Sequence, residues 1–71
     1  MMIHYYRGWT IDVVAVEAGD AWFATATVRE PGARPFTPGK EVVPGITAKT
    51  QASAIEEIIR RTHEWIDGVA P

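Results

Sequence analysis

The sequence contains no cysteine. That removes disulfides, thiolate metal sites and thiol nucleophiles, and leaves a single hydrophobic core to hold 71 residues together. Serine is nearly as scarce, since Ser53 stands alone and outside any GxSxG setting, so it reads as a first-turn hydrogen-bonder of a helix. The two histidines, His4 and His63, are far apart in the chain and lack the His-x-x-x-His spacing of a metal pair. His4 is expected on the outer face of a strand and His63 on the solvated flank of a helix. No glycine-rich phosphate loop opens a helix, because Gly32, Gly39 and Gly45 fall among prolines. No metal, cofactor or catalytic residue is therefore expected.

Charge of one sign is also missing. Seven basic and nine acidic residues give a net charge of −2, which disfavours a nucleic-acid surface spread over the molecule and a polybasic membrane anchor. The longest aliphatic stretch covers only residues 13–16, too short to span a bilayer, and no charged start leads into an apolar leader. A soluble, cytoplasmic protein without a membrane partner is expected.

What is present is a two-residue periodicity. Trp9, Ile11, Val13 and Ala15 share one face of a strand over about residues 9–17, and Trp22, Ala24, Ala26 and Val28 share one face over about 22–29. Between them, Gly19-Asp20 has the chemistry of a type II′ hairpin turn, with glycine at the position that demands positive φ. Such a turn sets Glu17 against Trp22, Ala15 against Ala24, Val13 against Ala26 and Ile11 against Val28, which brings both apolar sets to the same side. A first strand over about residues 3–6 precedes them. A three-residue Tyr6-Arg7-Gly8 loop would place Ile3 opposite Ile11 and Tyr5 opposite Trp9, and is preferred because it puts Ile3 inside. A two-residue Arg7-Gly8 turn would instead face His4 and Tyr6 inward, and one long strand kinked at Gly8 is a third option.

Residues 30–45 carry turn chemistry at Pro31-Gly32, Pro35, Pro38-Gly39 and Pro44-Gly45, and read as a long loop. Residues 46–49 can add a short strand. Thr50 can then cap a helix over about 51–67, in which Ala54, Ile55, Ile58, Ile59, Thr62, Trp65, Ile66 and Val69 recur at helical spacing. Glu56 with Arg60, Glu57 with Arg61 and Arg60 with Glu64 stand four apart on the other face, and Gly68 is placed for a left-handed cap. Trp65 is expected near the centre of the core. The fold class is α+β: a small antiparallel sheet of three strands, or four with 46–49, and one helix on one face.

Two places are candidates for contact. On the face away from the helix, Val14, Val16 and Phe23 line up across paired strands where threonine, lysine or glutamate would suit a wet sheet. A cover from the 30–45 loop or the termini, a homodimer and a foreign protein partner are three ways to account for them. In the loop, Pro35-Phe36-Thr37-Pro38 matches PxxP and is flanked by Arg29, Arg34 and Lys40, a docking segment or simply a stiffened connection. Asp12, on the outer face near Glu30, finds no second carboxylate for metal-assisted chemistry and reads as solvated.

The order Tyr6-Arg7-Gly8-Trp9-x-Ile11-x-Val13, then Gly19-Asp20-x-Trp22-x-Ala24-x-Ala26-x-Val28, then a helix ending in Trp65-Ile66-Asp67, resembles a group of small uncharacterised bacterial β-β-β-α proteins with a YRGY-type start. That resemblance implies a fold and no activity. More distantly, the element order with a Gly-Asp hairpin is similar to the N-terminal domain of HicB-type antitoxins, which implies toxin binding or nucleic-acid binding as an alternative role. The reading of the residues themselves is a non-enzymatic binding or protein-interaction module.

Overall fold

The computed structural model describes residues 2–69. Four strands, β1 (Met2–Tyr6), β2 (Trp9–Ala18), β3 (Ala21–Arg29) and β4 (Ile46–Ala48), form one antiparallel sheet in the order β1-β2-β3-β4, and α1 (Gln51–Val69) packs on one side of it. The short strand at 46 is thus the fourth member of the sheet.

The β2–β3 hairpin has the register that its turn dictates. Gly19 has φ +66°, and Glu17 pairs with Trp22, Ala15 with Ala24, Val13 with Ala26 and Ile11 with Val28. The buried set on the helix side is Ile11, Val13, Ala24, Ala26 and Val28 from the sheet, Ile46 from β4, Val43 from the loop, and Ala54, Ile58 and Ile66 from α1. The two alanines lower the floor of the sheet, which lets the helix approach closely.

Thr50 caps α1, accepting a hydrogen bond from Ser53 N–H at 3.1 Å while its hydroxyl donates to Ser53 Oγ. The buried stripe of α1 is Ala54, Ile58, Thr62 and Ile66, spaced four apart, and Thr62 satisfies its hydroxyl on the Ile58 carbonyl at 2.7 Å. This phase corrects two expectations. Trp65 is half-buried on the flank, because an indole is too bulky to lie over the sheet centre, and its ring meets Trp9 edge to face at 5.6 Å. Gly68 does not end the helix in a left-handed cap, since the helix runs through it to Val69. On the exposed side, Arg60 pairs with Glu57 and Glu64, and Arg61 with Glu57. Glu57 at i,i+3 thus takes the place foreseen for Glu56.

The turn before β2 is the third correction. Arg7 and Gly8 have φ 51° and 84°, and Tyr6 pairs with Trp9, so the loop has two residues in a type I′ turn. His4 now sits opposite Ile11 and Tyr5 opposite Thr10. Ile3, expected inside, is 52 % exposed on the outer face. The preference has a physical cause across the chain: with Tyr6 and His4 turned inward, both side chains find polar partners on the last turns of α1, as described next.

Candidate functional site

Three regions hold the residues singled out by the sequence, together with one cluster that it did not reveal.

The outer face of the sheet presents Val14, Val16 and Phe23, exposed by 39 %, 50 % and 39 %. Val16 and Phe23 are direct cross-strand partners, and Val14 faces Thr25 in the next outward pair. Residues 30–45 cover this patch in part and leave each of the three side chains more than a third exposed. They touch the outer face along β3, where a side chain at Gly45 would meet the Phe23 ring at 2.5 Å and one at Gly39 would meet Thr27 Oγ1 at 2.6 Å. Gly45 is what allows the backbone to pass beside the Phe23 ring into β4. Further along the face, Arg29 donates to Asp12 at 3.3 Å. Asp12, read as solvated, is therefore half of a cross-strand ion pair, and Arg29 is held on the sheet instead of joining a basic loop with Arg34 and Lys40.

The loop itself is ordered by two successive turns of the same kind. Ala33 N–H bonds Glu30 C=O at 3.1 Å around Pro31-Gly32, and Thr37 N–H bonds Arg34 C=O at 3.1 Å around Pro35-Phe36. Each has proline second and positive φ third, at 77° for Gly32 and 67° for Phe36, the pattern of a type II turn. Beyond them, Lys40 exchanges both backbone hydrogen bonds with Val28 at 2.9 Å, tying the loop to β3. Phe36 stands where the first turn has glycine, and it is 98 % exposed. A bulky residue in left-handed conformation costs about 1 kcal/mol, and the exposed ring contributes no burial in return. Replacing Phe36 with glycine should therefore stabilise the protein by about 1 kcal/mol in chemical denaturation, showing that the phenyl ring is not there for the fold. A loss of stability in that variant would show that the ring is held by contacts of its own.

Below these turns, Trp9, Trp65, Val28, Val42, Pro31 and Pro38 wall an open cleft of about 440 Å³. Arg29, Glu30, Thr37 and Lys40 line it beside these apolar and aromatic residues, and no histidine or serine does among the described residues.

The unforeseen cluster joins β1 to the end of α1. His4 Nε2 lies 3.0 Å from His63 Nε2, with ring centroids 5.1 Å apart. The centroid separation exceeds the nitrogen separation by about two ring radii, so the imidazoles meet head to head and share a proton, one donating and the other accepting. The Tyr6 ring stacks on His63 at 3.8 Å and 11°. Its hydroxyl donates to Asp67 at 2.9 Å, and Arg7 donates to the same carboxylate at 3.0 Å. The hydrogen bonds from Tyr6 and then Arg7 hold the Asp67 carboxyl below its ordinary value. Both histidine placements expected from the sequence are thus corrected. The sequence holds a signal: Ile59, His63 and Asp67 are spaced four apart on α1, and the alternative two-residue Arg7-Gly8 turn faces His4 and Tyr6 inward to meet them. The site engages its polar atoms with one another, and no group of three or more His, Cys, Asp or Glu residues is placed to hold a metal ion among the described residues.

Burial, and then the charge of His4, push the His63 pKa below its ordinary 6.5, against the opposite pull of Asp67. A histidine whose folded pKa is depressed stabilises the fold fully above its unfolded pKa, and that contribution is lost as pH falls, because the unfolded chain then binds protons more readily. The melting temperature should accordingly drop between about pH 7 and pH 5, and a His63→Phe variant should flatten that slope. A parent melting curve that is level across the window would contradict the burial of His63 beside His4.

Among the described residues, no helix is long and apolar enough to cross a membrane. No known family model, curated protein or solved structure matches the chain.

Proposed function

We propose that the protein is a non-enzymatic protein-interaction module whose contact surface is the outer face of the sheet, with a second copy of the chain as its simplest occupant. The observation that supports this most is the patch of Val14, Val16 and Phe23, each more than a third exposed on the face opposite the helix although the loop passes beside Phe23 at Gly45. Two such faces can stack as the layers of a sandwich do, about 10 Å apart, with Phe23 of each copy against the valines of the other. The histidine cluster supports a binding role over catalysis, since His4, His63, Tyr6 and Asp67 are engaged with one another and do not line the Trp9–Trp65 cleft, whose charged residues are Arg29, Glu30 and Lys40. A nucleic-acid or antitoxin-like role has less behind it. Arg29 is committed to Asp12, which leaves Arg34 and Lys40 to carry the basic character of the loop on a chain of net charge −2.

The double variant Val16→Lys, Phe23→Glu should keep the circular dichroism of the parent and lower the mass measured by light scattering at high concentration. Charges buried in such a face are costly, so assembly should weaken by about a hundredfold or more. An unchanged mass in the folded variant would remove this face as the contact.

A further inference from the structure

The two edges of the sheet are unlike each other. The β4 edge has three residues and lies between Pro44 and the helix cap, with the Lys40 bridge extending it by one rung. Short, proline-flanked edges of this kind do not template pairing. The β1 edge has five residues, Met2-Ile3-His4-Tyr5-Tyr6, with no proline, lysine or acidic residue in it.

The hydrogen-bond alternation of the sheet shows which β1 groups face outward. Val28 exchanges both backbone bonds with Lys40, on the side away from β2. Its neighbours Thr27 and Arg29 therefore bond toward β2, to Asp12 and Thr10, which sends the backbone groups of Ile11 toward β1, to His4. The closing Tyr6–Trp9 pair of the two-residue turn agrees. Met2, His4 and Tyr6 thus bond inward, and the N–H and C=O groups of Ile3 and Tyr5 point out from the edge. Their side chains, 52 % and 70 % exposed, share the outer face with Val14 and Val16.

We propose that β1 pairs antiparallel with β1 of a second copy, Ile3 opposite Tyr5, so that two four-stranded sheets become one. A twofold axis at His4 overlaps all five residues. It matches each outward donor with an outward acceptor and sets a β-branched side chain against an aromatic one twice, a favourable cross-strand pair. Among the described residues, the helix lies clear of the joined edge. The helix packs chiefly on β2, β3 and β4 and reaches β1 only through the side chains of His63 and Asp67 near its end, so across the joined edges the two helix axes would stand about 20 Å apart, roughly twice a helix diameter. The contact uses backbone edge and not the Val14–Phe23 patch, so it stands or falls independently of the face contact proposed above.

Amide hydrogen exchange on the full chain tests it. The Ile3 and Tyr5 amides should be protected at high concentration, exchanging about tenfold or more slowly than unstructured peptide, with protection declining on dilution. The same protection should persist in Val16→Lys, Phe23→Glu, which separates the edge contact from the face contact. Tyr5→Pro removes an outward donor while sparing every bond to β2, and should abolish protection at Ile3 with the His4 and Tyr6 amides still slow. Ile3 and Tyr5 amides that exchange at the unstructured rate at every concentration, beside protected His4 and Tyr6, would overturn the proposal without recourse to any variant.

Discussion

Ile58→Ala should lower the stability of the protein by about 3 kcal/mol or more, the largest single loss expected of any truncation in α1. Ile58 is fully buried in the stripe that α1 lays on the sheet, in one cluster with Ile11, Val13, Ala24 and Ala26. Removing its branched end leaves a cavity that neighbouring alanines cannot fill, so the cost combines lost transfer energy with lost packing. Trp65→Ala removes more atoms, yet should cost less, because the indole stands half-exposed in the cleft wall against Trp9. Urea denaturation of the two variants checks the order, and a larger loss for Trp65 would mean that the helix is turned about its axis from the orientation described.

Ala24→Leu should destabilise by about 3 kcal/mol through the opposite fault, excess volume. Ala24 is 0 % exposed at the centre of β3, paired with Ala15 on one side and Ile46 on the other. A leucine there has nowhere to go except into the helix, which would have to lift from the sheet along its length. Ala18→Leu supplies the control, since Ala18 is exposed at the end of β2 and should change stability by no more than about 0.5 kcal/mol. Equal effects at the two positions would contradict the close approach of helix and sheet.

These two predictions rest on the part of the fold that was readable from the chain. The Gly19-Asp20 turn and the apolar faces of β2 and β3 point to the same register, and agreement between independent local signals is what made that hairpin legible. The β1 hairpin lacked such agreement. Local patterning favoured an inward Ile3, whereas the structure turns His4 and Tyr6 inward for partners at His63 and Asp67, about sixty positions away, which no window of sequence contains. Trp65 was misplaced for a related reason, because size suggested the centre while the depth of the alanine floor selected the slimmer Ile58 and Ile66. In the loop, the repeated proline at Pro31 and Pro35 was visible, but the left-handed backbone at Phe36 was not, since glycine is the usual mark of that conformation. Among the contact candidates, the outer-face positions of Val14, Val16 and Phe23 followed directly from the legible hairpin. The pairing of Arg29 with Asp12 is diagonal, between residues two rungs apart, and direct cross-strand register does not reveal it.

The central claim is that the outer face meets a second copy of itself. An isotope-filtered nuclear Overhauser experiment on an equal mixture of labelled and unlabelled protein tests it most directly, because it registers contacts only between different molecules. The account predicts intermolecular cross-peaks from the ring protons of Phe23 to the methyl groups of Val14 and Val16. A concentrated, folded sample in which those three side chains show contacts only within their own chain would contradict it.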